Sequence, residues 1–161
     1  MAVDDALAEA LNLAARSSGA ARGLVSGAAT ALAGVEMLLM AWLALTGRPR
    51  AALRMLGGVC LVYAASEVLG AVWPRRRPFA QLSNVEALTP HDEERSFPSR
   101  HVASGLAMAA IAHAAHPQLG TLMSWVAWML GISRVAAGLH YPTDVLAGAA
   151  LGRTIGRLLC G

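Results

Sequence analysis

Residues Ser133 to Asp144 read Ser-Arg-Val-Ala-Ala-Gly-Leu-His-Tyr-Pro-Thr-Asp, and they set Arg134, His140 and Asp144 at the end of one apolar segment. Phe97-Pro98-Ser99-Arg100-His101 and Arg75-Arg76-Arg77-Pro78 sit at the mouths of two others. A carboxylate four residues after a histidine can reach back to one ring nitrogen and fix the tautomer, leaving the other nitrogen free to attack. His101 suits a general acid for a leaving alkoxide and then a base for water. Arg77 and Arg134 are permanently charged planar forks that match phosphate oxygens. Ser99 and the N–H groups opening the segment after it add donors where anions are favoured. These parts describe phosphoryl transfer through a phosphohistidine, with charge stabilised by arginine in place of a metal and with no cofactor called for.

The elements that must position them are membrane spans. The chain has 161 residues, 56% hydrophobic and 14% charged, with a mean hydropathy of +0.50. A soluble domain of this length carries more surface charge. An all-α polytopic bundle is expected, as one domain over 1–161, with spans at about 24–46, 52–73, 100–116, 119–136 and 143–160. Residues 1–22 form an amphipathic amino-terminal segment in which Leu7 and Leu11 share a face, suited to a membrane surface or to solvent. Residues 1–20 lack the basic start and early apolar core of a cleaved signal peptide. Residues 74–99 form a polar interfacial loop carrying part of the site. Five crossings put the amino terminus, that loop and the 137–142 turn on one face, so all three polar blocks can meet.

Other features have simpler readings. The basic excess is entirely arginine and forms no basic and aromatic stripe, which excludes nucleic-acid binding. Cys60 and Cys160 read as core thiols without metal or disulfide spacing. His91, His113 and His116 have no partners in the sequence and are given no catalytic role, and Asp92-Glu93-Glu94 reads as a solvated loop. Glu67 and Arg153 lie at equal helical depth and are expected to form a buried pair. Glu36 matches Arg157 or His113 in depth. Gly148, Gly152 and Gly156 repeat every fourth residue, which suits close helix packing within the bundle or in a dimer.

The three blocks together resemble the signature of the type 2 phosphatidic-acid phosphatase superfamily. Its third block, Ser-Arg-x5-His-x3-Asp, is matched at every fixed position from Ser133 to Asp144. Its Pro-Ser-Gly-His block appears as Pro98-Ser99-Arg100-His101, with arginine in place of glycine. Its first block keeps Arg77-Pro78, but Gly70 stands where a lysine is expected. The resemblance implies that His140 is the nucleophile, Asp144 its partner and His101 the acid/base, with Arg77, Ser99 and Arg134 as phosphate ligands. Arg75 or Arg76 would replace the lysine, and Arg100 would add a contact. The family core has six helices, so the amino-terminal segment would stand in for one.

The resemblance also implies a lipid phosphatase in a bacterial plasma membrane, acting on a lipid with a phosphate headgroup. Polyprenyl-linked substrates of cell-wall synthesis, a polyprenyl diphosphate or decaprenyl-phosphoryl 5-phosphoribose, are favoured over phosphatidic acid and phosphatidylglycerol phosphate. Vanadium-dependent haloperoxidases share the oxyanion pocket, but those it resembles are larger and soluble. A non-catalytic bundle or small transporter would explain the spans but not three polar blocks on one face. Without the site arginines, the positive-inside rule puts the site outside the cytoplasm; with every arginine counted, the balance reverses. Monomer and homodimer both remain open.

Overall fold

The computed structural model describes residues 2–160, so residues 1 and 161 of the expected domain lie outside it. The described residues form seven helices: α1 (Ala2–Ala15), α2 (Gly19–Leu45), α3 (Pro49–Val72), α4 (Pro78–Gln81), α5 (Arg100–Ala115), α6 (Pro117–Ala136) and α7 (Pro142–Leu158). Local chemistry sets most of their starts. Ser18 caps α2 by accepting from Ala21 N at 3.1 Å, which begins that helix earlier than its apolar run. Helices α3, α4, α6 and α7 each open on a proline, whose fixed φ and missing N–H suit the first turn. His116 ends α5 and caps α6, its Nδ1 accepting from Leu119 N at 3.3 Å, and that is its role.

The chain is an all-α polytopic membrane bundle. Helices α2, α3 and α6 are each long and apolar enough to cross a bilayer. Helix α5, at 16 residues, is roughly 24 Å long, short of the ~30 Å hydrocarbon layer. It can be short because it lies inside: ten of its 16 residues are buried, against three of 27 in α2. Helices α2, α3, α6 and α7 surround it.

Small residues permit that arrangement. Side chains added at Gly148 and Gly156 would meet Ser99 O at 2.5 Å and Ala107 O at 2.8 Å, and one at Gly152 would collide with Ala103 O. The glycine stripe therefore seats α7 on α5 within the chain, and it holds the helix carrying Asp144 against the one carrying His101.

Two expected intramembrane pairs are absent. Glu67 bonds Arg100 at 2.6 Å and Arg95 at 3.0 Å on the outside of the bundle. The Arg153 guanidinium lies 5.3 Å over the Trp128 ring. Equal depth did not bring Glu67 and Arg153 together because α3 packs mainly on α5 and meets α7 only slightly, so Glu67 turns toward the start of α5. Glu36 is buried against Gly105, with one carboxyl oxygen unpaired, and bonds neither Arg157 nor His113 among the described residues.

Helix α1 docks through an unexpected face. It buries Asp4, Ala8, Asn12 and Ala15, while Leu7 and Leu11 point outward. Asn12 donates to Glu86 O and Ala136 O, both at 2.9 Å, and accepts from Glu86 N at 3.0 Å. The 74–99 connection is equally packed. Phe79 N donates to Gly138 O at 3.2 Å and Leu88 N to Ala137 O at 3.0 Å. Gly138 has φ +76°, and a side chain there would meet Glu86 O at 2.5 Å. Amino terminus, loop and 137–142 turn thus gather at one end of the bundle.

Gly152→Val should overpack the α5–α7 contact, costing about 1–3 kcal/mol. Circular dichroism of thermal unfolding in detergent should show a lowered midpoint; an unchanged midpoint would mean the two helices are not in this contact.

Candidate active site

His140 lies in the turn between α6 and α7 and is 3% exposed. Its Nδ1 is 2.7 Å from the carbonyl oxygen of Ser96. A carbonyl only accepts, so Nδ1 carries the proton and Nε2 keeps its lone pair. Asp144 was the expected holder of that nitrogen, yet its Oδ2 lies 3.8 Å away. Oδ2 instead accepts from Tyr141 N at 2.8 Å, closing the first turn of α7. Asp144 therefore acts on the imidazole mainly through its charge. Burial pushes His140 below its ordinary value, Asp144 opposes this, and Arg77 and Arg134 reinforce it.

The arginines at the site are held by backbone oxygens. Arg77 Nε donates to Asp92 O and Nη1 to Leu139 O, both at 2.8 Å, the latter carbonyl adjoining His140. Its own N–H donates to Glu93 O at 2.8 Å. Burial, and then Arg100, lower its affinity for a proton, with Asp144 and Asp92 opposing. Arg134, 3% exposed, donates to Ala29 O at 3.0 Å through Nη1. Its Nη2 lies 2.9 Å from His91 Nε2 and 3.1 Å from His101 Nδ1. A guanidinium only donates, so both histidine nitrogens are acceptors, and His101 carries its proton on Nε2.

Two donors here have no partner among the described residues. Arg134 Nε and Ser99 Oγ are buried without a hydrogen bond, a state that ordinarily costs about 1–3 kcal/mol per group. Ser99 is the N-cap of α5, but its side chain makes no capping bond. The first-turn N–H groups of α5 are thereby left to another acceptor. Unmatched donors, two arginines and a helix amino terminus all call for an oxyanion.

Other expected ligands are engaged elsewhere. Arg76 bonds Glu93 at 2.5 Å on the exposed side of the loop, and Arg100 bonds Glu67 at 2.6 Å. Arg75 binds Asp144 Oδ1 at 2.8 Å and Asp4 at 2.7 Å. At Gly70, the place of the expected lysine, a side chain would meet Phe97 O at 3.2 Å.

Three groups that touch the cluster carry no signal in the sequence motifs. The Ser96 carbonyl is backbone and leaves no mark in residue type. Asp4 belongs to a helix read only for its leucines. His91 stands in an exposed acidic stretch, yet it meets Arg134; burial, and then Arg134 and Arg77, hold its pKa below the ordinary value. That it is the single histidine of the 74–99 connection was the available signal.

The PAP2 superfamily pattern matches residues 51–160, two thirds of the sequence. The chain belongs to this superfamily. A relative in Bacillus licheniformis, named bacitracin transport permease protein BcrC, is 34% identical over 119 residues, which cover 71% of this chain and 57% of that one. The decaprenylphosphoryl-5-phosphoribose phosphatase of Mycobacterium tuberculosis is 31% identical over 141 residues, 86% of this chain and 76% of that one. This PAP2 chain thus spans little more than half of the first relative and most of the second. Among solved structures, Aquifex aeolicus LpxE superposes with a TM-score of 0.80 at 24% identity, covering 95% of this chain and 92% of that one, which establishes the shared fold.

In histidine-labelled protein, nitrogen NMR should find His140 protonated at Nδ1 and titrating below about 6.5, the ordinary imidazole value. Asp144→Asn should move that titration lower still. A protonated Nε2 at neutral pH, or an upward move, would contradict this geometry.

Proposed function

We propose that the chain is an integral-membrane lipid phosphatase of the bacterial plasma membrane, working through a phosphohistidine on His140. The carrying observation is a free Nε2 on a buried imidazole beside two arginines, with Arg134 Nε and Ser99 Oγ unmatched. A phosphate oxyanion would satisfy those donors while presenting phosphorus to Nε2.

In the first step the Nε2 lone pair forms a P–N bond and the P–O bond to the leaving group breaks. As Arg134 turns toward the phosphate, Nδ1 of His101 becomes free to take a proton from solvent. The Nε2–H of His101 then protonates the departing oxygen. In the second step water attacks phosphorus, His101 takes its proton, and the P–N bond breaks to release phosphate and restore His140. Arg77, Arg134, Ser99 Oγ and the α5 amino terminus stabilise charge on the phosphoryl oxygens throughout. Arg100 and Arg76 are proposed as outer contacts that would have to leave Glu67 and Glu93 to reach the headgroup.

The proposed substrate is polyprenyl-linked. The site residues lie at the helix ends, beside the starts of α5 and α7, so a phosphate held there would sit near the interface while its chain remained in lipid. The mycobacterial relative, named for a decaprenyl-linked sugar phosphate, is matched along most of its length. The permease name of the Bacillus relative favours transport, but passage of a solute needs no free nucleophilic nitrogen among unmatched phosphate donors.

Purified protein in excess chelator should release phosphate from polyprenyl diphosphate or decaprenyl-phosphoryl phosphoribose faster than from phosphatidic acid or phosphatidylglycerol phosphate. His140→Ala should abolish turnover, and Arg134→Lys, which keeps charge but loses the fork, should lower kcat/KM by about 10–100-fold. Only neutral His140 attacks, and its pKa is depressed, so the acid limb of kcat/KM should lie below pH ~6.5. Turnover by His140→Ala, or dependence on added metal, would refute the mechanism.

A further inference from the structure

Beside the histidine lies a closed polar ring that the phosphoryl-transfer steps do not use. Asp4, in the first turn of α1, is 8% exposed. Its Oδ1 accepts from Thr143 N at 3.0 Å. Its Oδ2 accepts from the Thr143 hydroxyl at 2.5 Å and from Arg75 Nη2 at 2.7 Å. The other end of the Arg75 fork, Nη1, donates to Thr143 Oγ1 and Asp144 Oδ1, both at 2.8 Å. The guanidinium carbon lies 3.7 Å over the centre of the Tyr141 ring. Burial raises the carboxyl pKa of Asp4, but the Thr143 and Arg75 bonds outweigh it, so the group stays below its usual range and charged. Burial lowers the proton affinity of Arg75, but Asp4 and Asp144 outweigh it and hold the group charged.

We propose that Asp4 is a positioning residue for the phosphoryl-transfer site, acting through Arg75 on Asp144. Asp144 is fully buried and stands beside His140. Arg75 alone would cancel its charge and leave little field to support an imidazolium or a phosphorylated ring. Asp4 gives Arg75 a second carboxylate and leaves the cluster a net negative charge. It also fixes the fork in one plane, so Asp144 stays on Tyr141 N rather than moving onto Nδ1. The amino-terminal helix thereby sets the electrostatics of a nucleophile some 136 positions along the chain.

The groups facing His140 are Asp144 from α7, Arg134 from α6, His101 from α5, and Arg77 and His91 from the 74–99 connection. Of these, Asp144 alone is negative, so loss of Asp4 leaves Arg75 less neutralised and favours neutral His140. The proposal rests on His140 as nucleophile, and the experiment separates the two ideas.

Asp4→Asn is compared with Asn12→Ala, which loosens α1 at its other anchor without touching Asp144, and with His140→Ala. Asp4→Asn should lower kcat about tenfold or more with little change in KM, because a small misplacement at a reacting centre is costly. It should shift the acid limb, and the NMR titration of His140, to lower pH. Asn12→Ala should lower the unfolding midpoint but leave both pH readouts in place, and Asp4→Glu should restore part of the loss. Arg75→Lys, should Asp4→Asn fail to fold, must give the same kcat loss, and adding Asp4→Glu to it must bring no recovery. An unmoved His140 titration in Asp4→Asn, or parallel behaviour of Asp4→Asn and Asn12→Ala, would overturn the proposal. Turnover by His140→Ala would instead overturn the phosphohistidine reading itself.

Discussion

A buried imidazole presents one defined lone pair when its other nitrogen is held by an acceptor, and here the Ser96 carbonyl holds it at 2.7 Å. Much of the architecture serves to bring that carbonyl to that ring. Ser96 is fully buried and its own N–H donates to Arg75 O at 2.9 Å, which ties the far end of the connection to its beginning. The connection is in turn fastened to the 137–140 turn by backbone bonds at Phe79 and Leu88. Three stretches distant in sequence therefore converge on one hydrogen bond.

The second constraint is the burial of two arginines that no carboxylate pairs with among the described residues. Arg77 and Arg134 are 6% and 3% exposed. They are held by the carbonyls of Leu139, Asp92 and Ala29 and not by carboxylates. Backbone carbonyls solvate a guanidinium without neutralising it, so its charge stays available to a ligand. The acids nearby are placed differently: Glu67 and Glu93 pair with arginines at the periphery, and Asp144 is matched by Arg75. The two buried arginines beside His140 thus keep their positive charge, while Arg76 and Arg100 at the periphery are paired with carboxylates.

Much of this was legible in the sequence. Apolar run lengths predict five spans, an odd number that puts the three polar blocks on one face. Among the described residues, α2, α3 and α6 alone are long and apolar enough to cross by themselves, because α5 and α7 are shorter. Residue type singles out Arg77, Ser99, His101, Arg134, His140 and Asp144 as candidates, and the fold gathers them around one turn and one helix start. The partner of His140 was not legible because it is a carbonyl, and backbone groups carry no residue signature. Depth counting failed for Glu67 and Arg153 because height along a helix says nothing of the direction a side chain faces. The docking of α1 was hidden because its buried stripe is small and polar, the reverse of the pattern by which amphipathic helices are recognised.

A phosphohistidine route requires a covalent phosphorus–nitrogen bond at His140. Rapid mixing of the protein with a phosphate-labelled polyprenyl substrate, an alkaline quench and peptide mass spectrometry test it most directly. The geometry predicts label on the peptide containing His140, stable to alkali and lost in acid, and absent from His140→Ala. Full turnover with no labelled peptide at any quench time, and with phosphate inverted at phosphorus as direct attack by water requires, would contradict it.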